Sequence, residues 1–447
     1  MQLPLAQFSK AFKLQETKGY FPHFFNKRAN AGYDGPIPDQ SYYGCESMSP
    51  KDRGEFLKWH DELVRNNYRF KMSDEILRYC LQDVNILRTG CLKFRECFLE
   101  TNNVDPFLEC LTIASACNLV FRKNFLKAET IGIIPNNGYR LSDQHSTQSI
   151  EWLTWVTSST GKNITNACKL YNKHEDGETI LYYDVCSLYP YVNKYCKYPI
   201  GHPKKIYVGP EECSTVDVGT VDGLIKCCVR PPQNLYHPVL PYRCNGKLTF
   251  PLCKKCVALS LGTFVADELR KAVECSYKVV EIFEVWEYKT IQYNKDTDTD
   301  GLFTQYVNNF LKLKQDCGGW PQWCKSDEDK KRYIAQYKER ENIELDESNI
   351  SPNSGLRLLA KFMLNSFWGK IRKKKNAHKT DIIHEPLELF KLITNHSVDV
   401  HSLTVINSNV LLATWKRRQE DVIPLKTVNV AIAAYTTAAA RLVCITT

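Results

Sequence analysis

Thr179-Ile-Leu-Tyr-Tyr-Asp-Val-Cys-Ser-Leu-Tyr-Pro-Tyr191 decides how the rest of the chain is read. Ile180 to Val185 form an apolar and aromatic run that reads as a buried strand, and Asp184 lies near its end. Pro190 cannot donate to a strand ladder, so the chain must bend there. One carboxylate at a strand end followed by a backbone turn is, taken alone, no more than a turn-capping Asp.

A second long stretch narrows the reading. Gly355-Leu-Arg-Leu-Leu-Ala-Lys-Phe-Met-Leu-Asn-Ser-Phe-Trp-Gly-Lys370 contains no Pro and no β-branched residue, and Asn353 and Ser354 offer N-cap groups before it. A helix is expected, with Leu356, Leu359, Met363 and Phe367 as its apolar stripe. At about 100° per residue, Arg357, Lys361, Asn365 and Trp368 fall within about 80° of one another on another face. The plain reading of that face is an amphipathic helix whose long basic side chains extend to water.

The two stretches together resemble motifs A and B of family B DNA polymerases, in particular the protein-primed branch of organellar and viral type found in linear plasmids, phages and transposons. Asp184, Ser187, Leu188, Tyr189 and Pro190 match D-x-x-S-L-Y-P, and Lys361, Asn365, Ser366 and Gly369 match K-x-x-x-N-S-x-x-G. The resemblance implies that Asp184 binds catalytic Mg²⁺ and that the backbone after it, at Ser187 and Leu188, holds a triphosphate. It implies that Tyr189 packs on the incoming sugar so that a 2′-OH clashes. Lys361, with Arg357 beside it, is expected to bind the triphosphate, and Asn365 and Trp368 to pack against the nascent base pair. Trp368 stands where phage and cellular enzymes more often have Tyr, which keeps the stacking surface and removes the hydroxyl. Two hard cations about 3.5–4 Å apart need shared oxygen ligands, which is the chemistry a strand-end carboxylate supplies. Gly369, Lys370, Arg372 and Lys373 begin a basic run that is read either as a DNA-backbone contact or as a solvated helix end.

Outward from these motifs the signals weaken. Upstream, Ser73 is read as the N-cap of an amphipathic helix with Ile76, Cys80, Val84, Leu87 and Cys91 as its apolar stripe. Tyr79 and Asp83, four apart, share another face and resemble the third exonuclease motif of the family, in which the Asp binds metal and the Tyr orients water. The first two exonuclease motifs are not found upstream, so proofreading is expected to be absent. An apolar helix is expected near Leu108 to Val120 and another over Gln148 to Trp155, with a turn at Gly138 between them.

Cys253-Lys-Lys-Cys256 is read either as half of a tetrahedral Zn²⁺ site, with Cys244 and Cys275 as further ligands to test, or as unligated thiols. Asp296-Thr-Asp-Thr-Asp-Gly301 mimics the D-T-D of polymerase motif C, but it precedes motif B and lacks flanking apolar strands, so an acidic turn is the reading adopted. Phe303, Tyr306, Val307, Phe310 and Leu313 repeat at helical spacing. Residues 326–347 read as a solvated helix, and Asn429 to Val443 as a packed one.

The expected fold is therefore mixed α/β. Residues 1–105 would form the end of an RNase H-like exonuclease domain and 106–203 the first part of the palm with motif A. Residues 204–300 would be an insertion, 301–376 the fingers with motif B, and 377–447 a return into the palm that stops before motif C. Template-directed dNTP addition to a primer 3′-OH is the implied activity, with DNA template-primer, dNTP and a terminal protein as partners, although a chain short of one palm carboxylate is expected to be inactive. The competing class is a DNA-binding protein without catalysis.

The bulk properties agree with this class. The chain has 447 residues, is 43% hydrophobic, and carries a net charge of +9, which suits a polyanionic partner. Nineteen cysteines without a secretory signal read as reduced thiols. No apolar run is long enough to span a bilayer, so a soluble intracellular protein is expected, with nucleus and mitochondrion not distinguished.

Overall fold

The computed structural model describes residues 5–110, 112–135, 185, 187–233, 235, 237–244, 247–250, 260–297, 299–371, 378–418 and 428–446. Asp184, Cys253, Cys256, Arg372 and Lys373, and the expected features at Gly138 and Gln148 to Trp155, lie outside them. Helices and four sheets make up the described chain, which confirms the mixed α/β class. It divides into two compact units, one of Met1–Thr112, Leu313–Arg340 and Glu344–Lys361, the other of Ile113–Lys312, Glu341–Ile343 and Phe362–Thr447.

In the first unit, α1 (Leu5–Ala11) and α2 (Pro50–Arg65) accompany the long α3 (Met72–Asn102), and β1 (Asp34–Pro36) pairs with β2 (Arg69–Lys71). The N-terminus of α3 corrects the sequence reading: Lys71 is its N-cap, with no side-chain cap, and Ser73 lies inside the first turn. The expected apolar stripe is also corrected. The buried face carries Met72, Ile86, Gly90, Phe94 and Phe98, whereas Val84 and Leu87 are more than half exposed. Gly90 lets α1 approach, since a Cβ there would lie 2.2 Å from Phe8 Cε1. The charged helix read over 326–347 is α9 (Asp327–Glu341), solvated along most of its length and buried at Tyr337.

The second unit is built around an antiparallel sheet of order β3-β8-β4-β7: β3 (Tyr198–Val208), β4 (Gly223–Arg230), β7 (Ser260–Val265) and β8 (Lys278–Ile291). The register pairs Tyr198 with Ile291 and Leu224 with Trp286. The boundary expected at 203 falls inside β3, which pairs with β8 from Tyr198 to Val208. Gly223 is required by close approach: a Cβ there would sit 2.0 Å from the Trp286 carbonyl oxygen. Helices α6 (Gly209–Cys213) and α7 (Ala266–Glu274) bury Cys213 and Leu269 with Ile225, Phe264 and Val285 of the sheet. A smaller hairpin pairs β5 (Tyr242–Cys244) with β6 (Lys247–Thr249).

A second core in this unit is aromatic. Phe121 of α4 (Ile113–Asn124) meets Phe303 and Phe367 at ring-centroid distances of 5.1 Å, and Tyr198 meets Phe303 at 4.9 Å. Tyr306 of α8 (Thr304–Asp316) lies 4.5 Å from Phe367 and donates to the Met363 carbonyl at 2.9 Å. The acidic run before α8 is a tight turn, in which Asn294 Oδ1 accepts from the Asp296 amide at 2.8 Å and Asn294 bridges Thr299. The C-terminal helix, α13 (Val430–Thr446), buries Ala431, Ile432, Tyr435 and Ala438, as its small-residue sequence predicts. The remaining three-stranded sheet, of order β10-β11-β9, comprises β9 (Lys379–Ile383), β10 (Val398–Asn407) and β11 (Val410–Arg417), with α12 (Pro386–Ile393) beside it.

No helix among the described residues is long and apolar enough to cross a membrane.

Candidate functional site

Val185, read as a buried strand residue, is 42% exposed, and Ser187 adopts φ 58° and ψ 33°. This left-handed conformation is uncommon for a residue with a Cβ and costs about 1–2 kcal/mol. It turns the chain into α5 (Leu188–Tyr195), whose first turn accepts Pro190 because the missing N–H would have no intrahelical acceptor there. Pro190, Val192, Asn193 and Lys194 are buried, while Tyr189 is half-buried at the start of the helix.

Motif B forms α10 (Ser354–Ser366), which Asn353 caps by accepting from the Leu356 amide at 3.1 Å. Leu359, Ala360, Met363, Leu364 and Phe367 are buried, and Leu356 only partly so. Arg357, Lys361 and Asn365 all lie exposed on another face. One feature differs from the expected single helix: the regular structure breaks at Phe367, a turn residue fully buried in the aromatic core, and resumes as α11 (Trp368–Ile371). Gly369 is exposed, and Lys370 lies in the same short helix.

Two of the expected residues meet directly. The Tyr189 and Trp368 rings stack with centroids 4.3 Å apart and planes inclined by 19°. Near-parallel rings at this separation form a stacked aromatic pair. Thus the ring expected from motif A and the ring expected from motif B share one surface of the second unit.

Below Tyr189, α5 is fixed by a polar network that sequence reasoning missed. Lys194 Nζ, 1% exposed, donates to the Glu341 main-chain oxygen at 2.6 Å and lies 3.1 Å from Glu341 Oε2. The Tyr195 hydroxyl donates to the same carboxylate oxygen at 2.9 Å, and burial together with this carboxylate pushes its pKa far up. Thr304 Oγ1 donates to the Lys194 carbonyl and Gln292 Nε2 to the Tyr195 carbonyl, both at 3.0 Å, so the helix end has partners for its orphan acceptors. A lysine inside an aromatic run was the available signal, but its partner is far away in the sequence.

The exonuclease-like pair lies in the first unit. Tyr79 stacks on Phe21 at 5.0 Å, and Asp83 Oδ2 lies 3.4 Å from Lys18 Nζ, which stands 5.5 Å from the centre of the Tyr79 ring. Burial alone would lower the Lys18 pKa, but its bonds to Tyr79 and Asp83 outweigh that and raise it. Among the described residues no group of three or more His, Cys, Asp or Glu side chains could hold a metal ion. Cys275, expected as a zinc partner, forms no disulfide.

This chain belongs to the DNA polymerase type B family, organellar and viral, whose profile matches residues 3–319. The match includes Asp184 and Tyr189 and stops before α10, so Lys361, Asn365 and Trp368 rest on their own spacing and geometry. The chain is similar to a probable DNA polymerase of Neurospora intermedia, 24% identical over 320 residues covering 70% of this chain and 29% of that protein. It is also similar to a probable DNA polymerase of Podospora anserina, 24% identical over 415 residues covering 92% and 27%. It spans less than a third of either relative. A solved structure of Phi29 DNA polymerase with primer-template DNA and incoming nucleotide substrates aligns with 99% of this chain and 55% of that one, at 14% identity and a TM-score of 0.49.

Proposed function

We propose that this chain supplies the nucleotide-handling part of a protein-primed, template-directed DNA polymerase. The stack of Tyr189 on Trp368 carries the proposal, because a motif A ring and a motif B ring distant in sequence form one surface. Tyr189 acts as the sugar gate, excluding a 2′-OH by contact. Trp368 and Asn365 support the nascent base pair, and stacking tolerates any base because each has a π-face.

Lys361 and Arg357 bind the triphosphate of the incoming dNTP. Their exposure leaves both cations accessible to an anion, and a lysine ammonium acts as a point charge on phosphate oxygens as charge shifts toward the leaving group. The backbone at Ser187 and Leu188 adds N–H groups from the start of α5. Gly369, Lys370, Arg372 and Lys373 follow the DNA backbone, and a terminal protein provides the primer hydroxyl. Asp184 is the residue that would hold Mg²⁺, which when bound stabilises the attacking and leaving oxygens. Tyr79 and Asp83 are the corresponding water-orienting and metal-binding residues of the exonuclease motif.

Equilibrium binding of dGTP to the full chain tests the reading. Saturable binding weakened roughly tenfold or more by Lys361→Ala is expected, since a charge-assisted bond contributes about 1.5–3 kcal/mol. Any templated incorporation by the full chain should vanish in Asp184→Ala. Incorporation that persists in that variant contradicts the assignment.

A further inference from the structure

We infer that Lys194 is a positioning residue for Tyr189: its ion pair with Glu341 seats α5 so that the gate ring faces Trp368, and thereby sets selection between deoxyribo- and ribonucleotides. The selectivity part rests on the sugar-gate reading of Tyr189; the seating part does not.

The geometry of α5 carries the argument. The helix has eight residues, with Tyr189 in its first turn and Lys194 in its last, about 7.5 Å further along the axis. So short a helix has little rigidity of its own, and its orientation follows from what holds its two ends. At the Lys194 end the hold is specific. The ammonium reaches both the main-chain and the side-chain oxygen of Glu341, the last residue of α9, and Tyr195 takes the same carboxylate. The ammonium also lies 4.9 Å from the Tyr195 ring centre and 5.9 Å from that of Tyr293. Asn193 Oδ1 accepts from the Tyr198 hydroxyl at 3.0 Å, and that hydroxyl lies 3.2 Å from Thr436 Oγ1, which ties the same turn to β3 and α13.

A charge buried this deeply is a poor device for stability. Desolvation offsets most of the Coulomb gain, and apolar residues of the same volume often do as well. What such an ion pair provides is one allowed arrangement, because sliding the helix by a turn would leave the ammonium unpaired in the interior. The other end of α5 needs such a constraint. Its entry residue, Ser187, is held in a left-handed conformation that would relax if the helix could shift.

The test compares the full chain with Lys194→Arg, Glu341→Gln and the double variant Lys194→Met/Glu341→Gln. The double variant removes both charges and keeps the volume, so it is the one expected to fold even where a single charge deletion does not. Two quantities are read for each protein that keeps the wild-type far-UV spectrum. The first is the near-UV circular dichroism that Trp368 contributes, obtained by difference against the same protein carrying Trp368→Phe. The second is the ratio of GTP to dGTP dissociation constants.

With the pair removed, the Trp368 signal should collapse and the ratio should fall by about tenfold, a size typical of steric discrimination in a pocket. Lys194→Arg should keep most of both. A folded double variant with an unchanged Trp368 signal overturns the inference. An altered signal with an unchanged ratio overturns its selectivity part. If the wild-type chain binds neither nucleotide, the function proposed for Tyr189 fails with the selectivity part, and the Trp368 signal still decides the seating.

Discussion

Ser187 concentrates the local strain of motif A in one pair of backbone angles. Glycine takes this conformation without a steric cost, whereas a β-branched side chain takes it worst. Urea denaturation should therefore find Ser187→Val less stable than Ser187→Gly by about 1–2 kcal/mol. Equal midpoints would show that the left-handed angle is not held in solution. At the same scale, a double-mutant cycle on Tyr189→Ala and Trp368→Ala should return a coupling of about 0.5–1.5 kcal/mol, and a coupling near zero would mean the rings do not stack. Both rings were legible in the sequence because each belongs to a motif with fixed spacing. Lys194 was not, since nothing local distinguishes a buried lysine from a solvated one until Glu341 is placed beside it.

Two helices show what periodicity can and cannot tell. In α10 the apolar stripe, the Asn353 cap and the exposed cationic face were all readable, because a single stripe leaves one choice of buried side. Asn353→Ala should cost about 1 kcal/mol of stability by removing that cap. In α3 apolar residues occupy more than one face, and sequence gives no means of ranking them. The stripe containing Val84 and Leu87 is the exposed one, and Phe94 and Phe98 make the core. Leu87, 53% exposed, should accordingly tolerate replacement by Gln within about 0.5 kcal/mol, whereas Phe94→Ala should cost about 3–5 kcal/mol. Similar costs for the two would return the buried face to the side first read from the sequence. The break at Phe367 was invisible for a different reason: no Pro or β-branched residue marks it, and the interruption comes with burial of the ring among Phe121, Phe303 and Tyr306.

Across the whole chain, class and family were legible, and the sheet was not. Tyr198 and Ile291 pair across a long separation, and no local pattern marks two strands as partners, so residues 204–300 were read as a unit apart. That sheet also carries a charge cluster with a pH signature. Burial works to raise the pKa of Asp222, but hydrogen bonds from Lys197, Thr290 and Arg270 outweigh it and hold the carboxylate below its ordinary range. A carboxylate whose pKa falls on folding stabilises the protein above its unfolded value and loses that contribution as pH drops through the folded one. Asp222→Asn should therefore narrow the stability difference from wild type as pH falls below about 4, read from denaturation midpoints against pH. A difference independent of pH would show that the cluster does not hold the ionised form.

The central proposal is that the stacked Tyr189 and Trp368 rings meet an incoming nucleotide. Titrating dGTP against the full chain, Lys361→Ala and Tyr189→Ala, and repeating each titration with GTP, tests it most directly. Lys361→Ala should weaken both nucleotides alike, and Tyr189→Ala should admit GTP while leaving dGTP nearly unchanged. Wild-type binding that is absent, or that neither substitution alters, would contradict it.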